Sequence, residues 1–107
     1  MLSTHVLDTS KGVPAAGIPV RLQKQNGGLW RDVEAGVTNA DGRHAFTMEL
    51  TAGVFQIVFE VEDYLSRDSK NSFYAQIPVI FKVENPQAKY HVPLLLNPYG
   101  YSTYRGS

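Results

Sequence analysis

The amino-acid sequence predicts a single all-β domain over residues 1–107, a sandwich of short strands with at most one helix. Three observations carry this. Apolar residues alternate with a period of two, as in Phe55, Ile57, Phe59 and Val61. Turn signals (Asn26-Gly27-Gly28, Asp41-Gly42, Asn85-Pro86, Asn97-Pro98) punctuate these runs at short intervals. A chain of 107 residues, 43% hydrophobic and 19% charged, is long enough for one core and too apolar for disorder.

The elements follow in order. Leu2–Asp8 reads as a first strand, ended by Thr9-Ser10-Lys11-Gly12. Residues 13–17 form a turn-rich link. Ile18, Val20 and Leu22 alternate with Pro19, Arg21 and Gln23, which predicts a half-buried strand starting beside a proline. The Asn26-Gly27-Gly28 turn leads into a strand over 29–33. Residues 38–43 are a tight loop in which Gly42 can supply a positive φ. Residues 46–50 fit strand or loop. Residues 53–61 give the clearest strand, and the polar stretch 62–70 suits one short helix. Ile77–Val83 is a strand ended by Asn85-Pro86. Tyr90, Val92, Leu94 and Leu96 alternate with His91, Pro93 and Leu95, the chain turns at Asn97-Pro98, and residues 99–105 return. Seven or eight strands result.

Composition removes several function classes. Ten basic residues balance ten acidic ones, so charge gives no case for nucleic acid or an anionic membrane as partner. The absence of cysteine excludes disulfides and thiolate chemistry. No apolar run approaches membrane-spanning length, and Met1 leads directly into Leu2-Ser3-Thr4-His5 without a leader pattern. Cytoplasmic residence is therefore expected unless a longer precursor is exported. A phosphate-binding loop, a dinucleotide fingerprint, His-Glu-x-x-His and a nucleophile elbow are all missing. The three histidines lack metal-site spacing and have no thiolate partners, so zinc is not expected.

The remaining chemistry lies in a few residues. His91 sits on the strand face opposite Tyr90, Val92 and Leu94, and His5 alternates in the same way against Val6. Each fits a solvated strand histidine on the open face of a sheet. Antiparallel pairing across the Asn97-Pro98 turn, however, sets His91 opposite residues 104–106. That would gather His91, Arg105 and Ser107 into an acid–base cluster. Arg43, just after Asp41-Gly42, fits either a solvated charge or a clamp on a carbonyl or anion.

Taken together, the run from Leu2 to Gly17, the loop Thr38-Asn39-Ala40-Asp41-Gly42-Arg43, and His91 through Tyr104-Arg105-Gly106-Ser107 resemble the transthyretin-like family. The resemblance spans the whole chain and is strongest to that family's 5-hydroxyisourate hydrolases, which the terminal tetrapeptide marks. It implies two four-stranded sheets and a homotetramer, a dimer of dimers with a central channel. It also implies a cyclic amide hydrolase that opens 5-hydroxyisourate in urate degradation, without metal or cofactor. His5, Arg43, His91 and Ser107 would be catalytic. His5, Arg43, Tyr104, Arg105, Gly106 and Ser107 would bind substrate, with Tyr104 narrowing the channel to a pocket. Which histidine acts as base stays open. His44 lies outside the family motif and is expected at the surface. A non-catalytic carrier of a small aromatic ligand is the alternative the fold allows, and a structural or adhesion sandwich is a more distant one.

Overall fold

A computed structural model describes residues 1–67 and 72–107. Nine strands and one helix follow in order: β1 (Leu2–Asp8), β2 (Val13–Pro14), β3 (Pro19–Asn26), β4 (Leu29–Val37), β5 (Arg43–Phe46), β6 (Gly53–Phe59), α1 (Glu62–Ser66), β7 (Ile77–Val83), β8 (Tyr90–Asn97) and β9 (Gly100–Thr103). The period-two pattern decides which side of each strand is buried. In β1, Leu2, Thr4, Val6 and Asp8 face inward while Ser3, His5 and Leu7 stay half-exposed. In β8, Tyr90, Val92, Leu94 and Leu96 are buried and His91 and Leu95 are not. These rows meet Val20, Leu22, Phe55, Ile57 and Phe59 of the facing sheet. Each such side chain contributes roughly 1.5–3 kcal/mol through burial, so the sandwich rests on this interior.

One sheet runs β4-β3-β6-β7 and the other β2-β1-β8-β9, with β5 also paired to β1. β5 pairs with Leu2 to His5, and β2 with Leu7 and Asp8. Both lie on the flank of β1 opposite β8, so this sheet is four strands wide with one outer position shared. β1 and β8 run parallel over seven residue pairs, which places the two ends of the sequence side by side. Thr4 locks that pairing by donating its hydroxyl to the Val92 carbonyl at 2.6 Å.

Four local expectations change. The strand foreseen over 29–33 extends to Val37, because β3 and β4 pair along their whole length around a bulge at Leu22/Gln23. The link 13–17 contains β2. β5 begins at Arg43, which the sequence pattern assigns to a loop, and its end at Phe46 settles the ambiguity of residues 46–50. The helix covers Glu62–Ser66, while the last part of the helix expectation falls at 68–70, outside the described residues. Asp8 anchors this end of the molecule. It is 2% exposed and accepts hydrogen bonds from Ser10, Lys11 and the Tyr64 hydroxyl. Burial pushes its carboxyl up, but those hydrogen bonds outweigh burial and hold it below the ordinary carboxylate range.

Candidate active site

The outward face of the β1–β8 sheet collects the polar residues that alternation leaves outside the core. β5 sets Arg43 directly beside His5, and the parallel β1–β8 register sets Ser3 beside His91 and His5 beside Pro93. After β9 the chain continues alongside β8 in the same antiparallel register. The Thr103 hydroxyl donates to the Pro93 carbonyl at 2.6 Å, and Gly106 forms an antiparallel bridge with His91, its N–H donating to the His91 carbonyl at 2.8 Å. The return strand thus does meet His91, as the turn at Asn97-Pro98 requires.

His5, Arg43, His91, Tyr104, Gly106 and Ser107 line one open pocket of about 390 Å³, floored by Leu7, Pro93 and Leu95. Among the described residues no aspartate or glutamate lines it, so the face offers a guanidinium and two imidazoles with no acidic side chain beside them. Such a surface suits a substrate that carries or develops negative charge. A larger hollow, about 430 Å³ between Met1, Phe46 and Pro86, holds one titratable side chain, Glu49, and lacks this convergence. Among the described residues no three histidine, aspartate or glutamate side chains gather as a metal site needs.

Within the pocket His91 is the most constrained group. Its Nδ1 lies 2.8 Å from the Ser3 hydroxyl, so Nε2 is the nitrogen left for a reactant. Burial, then the charges of Arg43, His5 and Lys89, hold its imidazole below the ordinary value of 6.5, against a smaller upward pull from Ser3. The ring also packs on Gly106, where an added Cβ would sit 2.6 Å from His91 Cδ2. A glycine at this position therefore leaves room for the imidazole. Arg43 is exposed, and its guanidinium makes no hydrogen bond to another described residue.

Two expectations need correction. Arg105 does not enter the pocket with its neighbours. As the residue between Tyr104 and Gly106 it points to the other side, where its guanidinium lies 4.4 Å over the Tyr90 ring and donates to the Lys89 carbonyl at 3.1 Å. It straps the terminal segment to the start of β8. His44 is not a free surface residue either. As the strand neighbour of Arg43 it turns inward, edge-on to Phe46 with ring centroids 4.7 Å apart. Ser3 is the residue the sequence reading missed. It stands two positions before His5, so strand alternation alone places both on one face.

The sequence model of the HIUase/Transthyretin family matches residues 2–106. The chain is 38% identical to the 5-hydroxyisourate hydrolase of Mus musculus, over 99% of this chain and 94% of that protein. The structure of Klebsiella pneumoniae 5-hydroxyisourate hydrolase superposes with a TM-score of 0.87 at 35% identity, covering 99% of this chain and 98% of that one. Transthyretin from Sparus aurata superposes with a TM-score of 0.90 at 28% identity, over 98% and 95% of the two chains. The overall fold is thus shared by an enzyme and a protein of a different name, and the residues on the sheet face must discriminate between them.

Proposed function

The chain belongs to the HIUase/transthyretin family, and from that premise we propose that it is a 5-hydroxyisourate hydrolase working on the outward face of the β1–β8 sheet. The observation that carries this reading is the convergence of His5, Arg43, His91 and Ser107, from three strands and the terminal segment, on one pocket that no acidic side chain of the described residues lines.

The chemistry follows from the groups present. Neutral His91 donates Nδ1–H to the Ser3 hydroxyl and takes a proton from water through Nε2. The hydroxide equivalent adds to the ring carbonyl carbon of 5-hydroxyisourate. Arg43 holds the oxygen on which negative charge develops. The C–N bond then breaks as His5, entering the step protonated, gives its proton to the departing nitrogen; the carboxylic acid so formed releases its proton to water, and the proton held on His91 passes to His5, restoring both imidazoles. The product is 2-oxo-4-hydroxy-4-carboxy-5-ureidoimidazoline. Tyr104 and Ser107 bound the pocket and hydrogen-bond substrate or water, and Gly106 leaves room for the His91 ring.

A cytoplasmic homotetramer, a dimer of dimers, completes the proposal. Support for the assembly is an unpaired edge in each sheet: among the described residues β7 and β9 have no neighbour on one side, and Ile80 and Tyr101 on them are exposed. Pairing between copies would satisfy those edges. Sedimentation at a tetramer mass would support it and a fully active monomer would refute it.

Activity is tested by generating 5-hydroxyisourate in situ from urate with urate oxidase and following its ultraviolet decay. The protein should accelerate decay well above the spontaneous rate. Decay indistinguishable from the protein-free control would sink the enzyme reading.

A further inference from the structure

We propose that Glu34 and His44 are positioning residues for Arg43, forming a clamp that aims β5 at the pocket; this rests on the hydrolase reading above. β5 has four residues and pairs on one edge only, with β1. Arg43 has no side-chain hydrogen bond to another described residue, so the aim of its guanidinium is inherited from its backbone. That backbone is held from both ends. On the near side, Asn39 Oδ1 accepts from the Arg43 N–H at 3.0 Å and the Asn39 N–H donates to the Arg43 carbonyl at 2.9 Å.

On the far side the holder comes from the other sheet. Glu34 of β4 reaches across, and its Oε1 accepts from the Thr47 N–H at 3.0 Å, the Met48 N–H at 2.9 Å and the Thr47 hydroxyl at 3.3 Å. Its Oε2 accepts a further 3.0 Å contact from the Thr47 N–H and faces His44 Nε2 at 3.8 Å. Burial pushes this carboxyl up, but the Thr47 and Met48 hydrogen bonds outweigh it and keep Glu34 ionised below the usual range. His44 Nε2 is buried and has no hydrogen-bond partner among the described residues, an arrangement that costs free energy and calls for a reason. The ring fits because residue 36 is glycine: a Cβ there would lie 2.1 Å from His44 Cε1. In a strand, seating one side chain inward fixes its neighbour outward. With His44 wedged over Gly36 and against Glu34, Arg43 must face the pocket.

The test is a double-mutant cycle on kcat/KM. Glu34→Ala should lower kcat/KM about tenfold, since small misplacements of a substrate-holding group are costly. In an Arg43→Ala background the same change should cost nothing further. Glu34→Gln, which keeps the Oε1 acceptor, should recover most of the loss. His44→Leu, similar in volume, provides a second cycle if Glu34→Ala folds poorly, with the same non-additivity expected. A loss that adds fully to that of Arg43→Ala, or wild-type kcat/KM in folded Glu34→Ala and His44→Leu, would overturn the proposal. Should the wild type fail to hydrolyse 5-hydroxyisourate, the function reading falls separately. The clamp is then judged by hydrogen exchange: β5 amides must exchange faster in Glu34→Ala while β3–β6 amides do not, and unchanged β5 exchange rejects it.

Discussion

The two sheets carry polar side chains on their outward faces, yet those faces treat charge differently. On the β4-β3-β6-β7 sheet the polar groups satisfy one another. Arg21 donates to Glu60 at 2.9 Å, Gln23 donates to Asp32 at 2.8 Å, and Gln56 donates to Gln23 at 2.7 Å. On the β1–β8 sheet, His5, Arg43 and His91 converge with no acidic side chain of the described residues lining their pocket. A face whose charges cancel is structural surface; a face whose charges are left over has something to give a ligand.

Substitutions on the unbalanced face should cost the most. Arg43→Ala should lower kcat/KM by about 10²–10⁴ while leaving the melting temperature nearly unchanged, because the side chain is exposed and holds nothing in the fold. Loss of stability in parallel with activity would make Arg43 structural instead. Gly106→Ala comes next. The new Cβ would push on the His91 ring, and a displaced imidazole should cost on the order of a hundredfold in kcat with little change in KM. Removing Ser107 should likewise damage turnover more than folding; wild-type turnover would exclude it from the site.

Smaller effects sharpen the role of His91. Ser3→Ala removes the hydroxyl 2.8 Å from Nδ1 and should lower kcat about tenfold by freeing the ring to rotate and change tautomer. The pH profile gives a sign as well as a size. Because burial and neighbouring cations hold His91 below 6.5, the acid limb of kcat/KM should fall at a pH below that value. Arg43→Gln removes one of those cations, so its limb should move upward, though not to 6.5, since burial remains. Stability runs the same way. The unfolded chain binds this proton more readily, so the contribution of His91 is complete above pH 6.5 and is lost as pH falls through the lower folded value.

Much of this was legible in the sequence, and for identifiable reasons. Strand periodicity placed the core rows of β1, β6 and β8, because a two-residue repeat leaves no freedom about which side is buried. The Asn97-Pro98 turn fixed the return strand, and with it the meeting of His91 and Gly106. Legibility failed where the answer depends on a partner far away in sequence. Arg43 reads as loop because a four-residue strand is defined only by its pairing with β1. His44 reads as surface because its pocket is made by Gly36 and Glu34 of the opposite sheet. Antiparallel pairing brings Arg105 close to His91 in register but does not set the aim of its side chain, which packs over Tyr90 instead.

The balanced face should respond least. Arg21→Ala breaks a partly exposed ion pair worth about 0–1 kcal/mol and should leave kcat/KM unchanged. The most direct test of the contrast sets that variant beside His91→Ala in one assay of 5-hydroxyisourate decay, with melting temperatures measured on the same samples. His91→Ala should lose at least about a hundredfold in kcat/KM while staying folded, and Arg21→Ala should keep the wild-type rate. A folded His91→Ala protein with wild-type kcat/KM would contradict this contrast.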